Sequence, residues 1–113
     1  MPVDVKLQPA ILELVDVLMR GEFERLELDG RIGRLTAAEL SRALSEYGGK
    51  LVPLPDDAFD SADCYPIEGE ASKWAVDLPL WTREEGRSDL TLALSIKEDN
   101  GKVLVEIDDL HVL

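Results

Sequence analysis

The sequence predicts an α+β fold: two or three N-terminal helices packed on a C-terminal antiparallel meander of about four strands. Two observations carry this. Apolar residues recur at helical spacing before Gly49 and alternate one by one after it. In addition, Asn100-Gly101 separates two alternating runs, the strongest short-range signal for a hairpin with a two-residue turn. A chain of 113 residues is expected to form one domain, residues 1–113, with a single core.

The helical part begins at Pro9, which suits a first helical turn because its missing N–H would have no partner there. Ile11, Leu14, Val15 and Leu18 follow at the spacing of one face, and Gly21 offers a stop. Residues 22–34 are ambiguous, a short helical or extended piece leading to a loop at Gly30 and Gly33. The next helix is better signed. Thr36 and Glu39 form a capping box, Leu35 and Leu40 a hydrophobic staple, and Leu40, Ala43, Leu44 and Tyr47 the buried stripe, stopped by Gly48-Gly49.

Beyond Gly49 the period is two. Leu51-Val52 is a short strand candidate, and residues 64–68 an edge strand kept short by Pro66. Trp74, Val76, Leu78 and Leu80 form one inward set, Leu90, Leu92, Leu94 and Ile96 the next, and Val103, Val105 and Ile107 the last. The Asn100-Gly101 turn places Ile96 opposite Val105 and Leu94 opposite Ile107. After Ile107 the parity slips, since Leu110 and Val112 are even-numbered. A β-bulge at Asp108-Asp109 absorbs the extra residue and sets Leu92 against Leu110 and Leu90 against Val112.

Charge is unevenly placed. Residues 1–55 hold nine acids against seven bases, whereas residues 56–113 hold fifteen against five, most of the net −12. The acids cluster as Asp56-Asp57 with Asp60 and Asp63, Glu84-Glu85 with Asp89, and Asp108-Asp109. Such a field repels nucleic acid and attracts cationic partners. No stretch is apolar enough to span a bilayer, the N-terminus lacks the plan of a signal peptide, and the lone Cys64 permits no internal disulfide. A cytoplasmic protein without nucleic-acid or membrane partners is the expectation; the oligomeric state stays open.

Catalytic signals are weak. His111 is the only histidine, Cys64 has acids rather than a base near it in sequence, and no phosphate-loop, dinucleotide, zinc-protease or EF-hand pattern occurs. Asp108 and Asp109 with Asp89 offer oxygens to a hard cation, but strand neighbours point to opposite faces unless a bulge intervenes. We therefore expect no enzyme, no cofactor and no metal. The segment from Trp81 to Asp89 joins two strands. It reads either as a plain hairpin loop turning on Gly86 or as a recognition loop, an aromatic anchor beside paired acids. The expected partner-binding residues are Asp56, Asp57, Asp60, Asp63, Trp81, Glu84, Glu85, Asp89, Asp108 and Asp109.

The run Trp81-Thr82-Arg83-Glu84-Glu85-Gly86-Arg87-Ser88-Asp89-Leu90-Thr91-Leu92 and the ending Ile107-Asp108-Asp109-Leu110-His111-Val112-Leu113 resemble a family of short bacterial proteins of mostly unassigned function. Some of its members look like immunity proteins of contact-dependent growth inhibition and related polymorphic toxin systems. The resemblance is densest from Trp74 to Leu113. It implies a protein that binds and neutralises a toxin domain, commonly a nuclease, and carries over no catalytic residue. The charge agrees, because nucleases hold phosphate backbones and tend to be basic. The alternative from the residues alone is a small-ligand-binding domain of cone-like fold, similar to the nuclear transport factor 2 and cystatin groups, or an adaptor subunit without catalytic activity.

Overall fold

The computed structural model describes residues 3–69 and 71–112. Helix α1 (Gln8–Met19) starts with Pro9 in its first turn and buries Ile11, Leu14, Val15, Val17 and Leu18. It ends where Gly21 adopts φ +73°, a left-handed conformation that side chains resist. Residues 22–34 resolve into helix α2 (Phe23–Leu28) and a parallel bridge of Ile32 to Ile107. At six residues, with only Leu26 buried, α2 is too short to show a period.

Helix α3 (Ala37–Tyr47) carries the full capping box. Thr36 Oγ1 accepts the Glu39 N–H at 3.1 Å, and Glu39 Oε1 accepts the Thr36 N–H at 3.0 Å. Among the described residues, no helix is long and apolar enough to cross a membrane.

The strands β1 (Asp63–Pro66), β2 (Lys73–Thr82), β3 (Gly86–Asp99) and β4 (Lys102–Val112) form one open antiparallel sheet in the order β1-β2-β3-β4. The architecture is thus α+β, N-terminal helices packed on a C-terminal meander. The Leu51-Val52 candidate contributes only a bridge from Leu51 to Thr82. Asn100 and Gly101 both have positive φ, +51° and +82°, as a type I′ turn requires.

The pairing of β3 with β4 is the one the parity slip demands. Ile96 faces Val105 and Leu94 faces Ile107, then the register shifts so that Ala93 faces Asp109, Leu92 faces Leu110 and Leu90 faces Val112. Asp108 is the extra residue. The bulge is buttressed from outside, where the Ile107 N–H donates to Arg31 O and its carbonyl accepts from the Gly33 N–H, both at 2.8 Å.

A second irregularity lies between β2 and β3. Pro79 faces Thr91 but Trp81 faces Arg87, so Leu80 stands opposite three residues, Ser88 to Leu90. The buried Ser88 hydroxyl closes the gap, donating to Leu80 O at 2.8 Å and accepting the Leu90 N–H at 3.2 Å. This corrects the expected loop from Trp81 to Asp89. Only Arg83–Glu85 turn, while Trp81 and Asp89 lie on strands.

One face of the sheet meets the helices. Val76, Leu78, Leu80, Leu92, Leu94, Ile96 and Ile107 are each no more than 1% exposed and pack with α1, Leu26 and Leu40 in one core.

Candidate functional site: the open face of the sheet

Alternation sends the remaining side chains to the opposite face, which no helix of the described chain covers. Register groups them into rows. Nearest the β3–β4 turn Asp99 faces Lys102, and behind that pair Lys73, Lys97 and Leu104 stand in line. Next come Tyr65, Ala75, Ser95 and Glu106, then Asp63, Asp77, Ala93 and Asp109. Pro79, Thr91 and His111 follow, then Trp81 beside Arg87. An acidic belt therefore crosses the middle of the face, with lysines at one end and a tryptophan at the other. The belt spans three strand spacings, about 14 Å.

The bulge doubles the belt on β4. In a regular strand Asp108 would point into the core; here Ser95 Oγ, on the open face, donates to Asp108 Oδ2. Both carboxylates are half-buried. Tyr65, 46% exposed, donates its hydroxyl to Asp77 Oδ2. That bond raises the Tyr65 phenol above its ordinary range. Asp109 Oδ1 accepts the Leu110 N–H at 2.9 Å, and its Oδ2 lies 3.4 Å from His111 Nδ1. His111 Nδ1 itself is buried without a hydrogen bond. The floor between these acids is small: Thr91, Ala93 and Ser95 on β3, with Ala75 on β2.

The ten residues singled out from sequence fall into three groups. Asp63, Trp81, Asp108 and Asp109 come together on the open face. Asp56, Asp57 and Asp60 lie exposed around a 3₁₀ turn (Ala58–Ser61) that leads into β1, and Asp89, exposed on β3 between Arg87 and Thr91, falls on the open face beyond the belt. These four have no side-chain hydrogen bond or ion pair among the described residues.

Glu84 and Glu85 are held internally. Glu84 Oε1 accepts the Lys50 N–H at 2.9 Å, which lowers its carboxyl below the usual range. Glu85 Oε1 accepts the Tyr47 hydroxyl at 2.5 Å, which raises that phenol, and the Glu85 N–H donates to Thr82 Oγ1 at 3.1 Å. The pair thus ties the β2–β3 turn to the end of α3.

Sequence reasoning missed Asp77, Tyr65 and Glu106. Asp77 and Glu106 occupy the outward positions of alternating runs, a visible signal, but only register shows which strands place them together. Cys64 faces the core at 1% exposure, and burial pushes its thiol upward. No group of three or more His, Cys, Asp or Glu side chains suited to a metal ion occurs among the described residues. A hollow of about 710 Å³ is lined from both sides of the sheet, by Ala10, Arg31 and Val103 on one side and Lys97, Leu104 and Glu106 on the other. It wraps the sheet and reaches the edge of the acidic belt at Ser95 and Glu106.

The chain belongs to a family described as a domain of unknown function, DUF7668, whose pattern matches residues 15–113 and so takes in the whole sheet. No curated protein and no solved structure matches it.

Proposed function

For this member of the family we propose an immunity protein, one that binds and neutralises a basic toxin domain, a nuclease, in the bacterial cytoplasm. The observation that carries the reading is the acidic belt on an uncovered sheet face. Carboxylates displayed together, with few cations near enough to neutralise them, form a fixed field that speeds encounter with a basic surface. A nuclease cleft is such a surface, because it must hold phosphates. The internal ion pairs agree. Arg31 binds Glu13 at 2.6 Å and Asp29 at 3.1 Å, Arg20 binds Asp16 at 2.9 Å, and Arg42 binds Glu46 at 2.8 Å. These pairs lie in the first half, so the basic residues there are spent locally while the second half stays acidic.

Neutralisation needs no catalytic group: it requires that the inhibitor cover the cleft and leave slowly. The test is co-purification with tagged chain from its bacterium, a moderate salt wash, and a nuclease assay on the basic fragment retained. We expect one equivalent of chain to stop cleavage of DNA or RNA by that fragment. A captured fragment whose cleavage continues at saturating chain would defeat the reading.

A further inference from the structure

We propose that the open face is the docking surface for this basic partner, and that its occupant is an arginine- and lysine-bearing helix lying along β3. The identity of the partner rests on the immunity reading; the choice of surface and occupant rests on the geometry of the face.

The face has the form of a floor between rails. The floor is Ala93 and Ser95 on β3, whose short side chains let another element approach closely, while Thr91 next to them is already covered at 2% exposure. One rail is Asp77 with Asp63 behind it; the other is Asp109 with Asp108, while the Glu106 carboxylate turns toward Gly33 at the edge of β4. Asp77 and Asp109 stand two strand spacings apart, about 10 Å. A helix is about 10–12 Å across with its side chains, so its flanking cations come down on both rails.

The rails are set before the partner arrives. Asp77 and Asp108 each have one oxygen held by a hydroxyl, from Tyr65 and Ser95, and the other without a partner among the described residues. Ordering these side chains therefore adds little cost on binding.

The ends of the face fix the extent of the occupant. Lys97 repels cations toward the β3–β4 turn, and Trp81 supplies a flat aromatic anchor at the other end. The remaining acids lack this form. Asp56, Asp57 and Asp60 surround a tight turn, and Glu84 and Glu85 are already bonded to Lys50 and Tyr47.

The probe is an alanine-based peptide of about 18 residues, five turns, with arginines flanking one face, and its glutamate counterpart as control. Trp81 fluorescence in a Trp74→Phe background reports binding. We expect the arginine peptide to bind and the glutamate peptide not to. Asp77→Asn with Asp109→Asn, which removes charge but keeps shape, should weaken binding about tenfold or more. Asp56→Asn, Asp57→Asn and Asp60→Asn together should change it less than about twofold.

Equal affinity of the parent and the Asp77→Asn/Asp109→Asn chain, or no binding by the parent, overturns the proposal; thermal melts verify that each variant is folded. The same variants are then assayed against the captured nuclease. Full neutralisation by the Asp77→Asn/Asp109→Asn chain overturns the surface assignment and leaves the immunity reading standing. Loss of neutralisation in that variant alone supports both. A parent chain that neutralises nothing removes the immunity reading, and the peptide titration then decides the surface by itself.

Discussion

Two pairs of adjacent acids, alike in sequence, have opposite fates. Glu84 and Glu85 lie in a three-residue turn and give their oxygens to Lys50 N–H and the Tyr47 hydroxyl. Asp108 and Asp109 lie mid-strand, and a bulge turns both onto the open face of the sheet. The first pair fastens the sheet to α3; the second stands on the open face, held there by Ser95 and by the Leu110 N–H. Each pair sits beside one of the two register shifts in β3, so backbone irregularity, more than local charge, decides which carboxylates are displayed. Acid clusters in a sequence are therefore candidates only until their hydrogen bonds are traced.

The comparison can be broken hardest at the residue that seats the bulge. Ile107 is fully buried, and its N–H and carbonyl hold Arg31 and Gly33. Ile107→Ala should cost about 2–5 kcal/mol by leaving a cavity. Urea unfolding followed by circular dichroism measures it; a loss within experimental error would mean that the bulge is held by something else.

Ser88 holds the other irregularity. Ser88→Ala leaves the carbonyl of Leu80 and the N–H of Leu90 without their shared partner, a cost of about 1–3 kcal/mol. The same urea experiment applies, and Ser88→Cys should not restore the loss, because a thiol is a weak donor and acceptor.

The fastening role of Glu84 and Glu85 is separable by pH. The folded-state pKa of Glu84 is lowered, so its contribution is present above the unfolded value of about 4.3 and fades as pH falls through the folded one. The gap in Tm between the parent and Glu84→Gln should therefore close between about pH 6 and pH 3. Tyr47 has the opposite sense. Its phenol is raised by Glu85, so that contribution is complete below about pH 10 and is lost as pH rises further. In Glu85→Gln, ultraviolet titration should show one tyrosine ionising earlier. Titration curves unchanged from the parent would mean that the turn is not fastened this way.

The sequence makes the fold legible where a rule is local. The capping box at Thr36, the Asn100-Gly101 turn and the slip after Ile107 each follow from a few neighbouring residues, and each is found in place. The site is legible only in part. Asp108 and Asp109 are readable because a parity slip is written in the chain. Asp77 and Tyr65 become members of the face only through pairing of β1 with β2, which no local pattern specifies. The shift around Leu80 was hidden for a related reason. Its cause is one buried hydroxyl, and a serine inside an alternating run resembles any outward polar residue. Part of the run from Trp81 to Leu92 thereby acquires a structural account, since Ser88 keeps the sheet in register.

The smallest expected effect on stability is the most discriminating. Deleting Asp108 removes the extra residue and leaves regular alternation, with Ile107 and Leu110 still inward and Asp109 and His111 still outward. Stability should change by no more than about 0.5 kcal/mol, as for a surface change, while the arginine peptide binds a few-fold more weakly. Deleting Glu106 shortens β4 by the same one residue and also leaves Leu110 opposite Leu92, but Ile107 and Asp108 exchange faces. A fully buried side chain is then lost from the core and a carboxylate is pushed into it, at a cost of several kcal/mol. The two deletions yield chains of equal length, so a difference between them in urea midpoint isolates facing from strand length. If both are tolerated, the strand is free to slip in register and the display of Asp108 and Asp109 is not built into the fold.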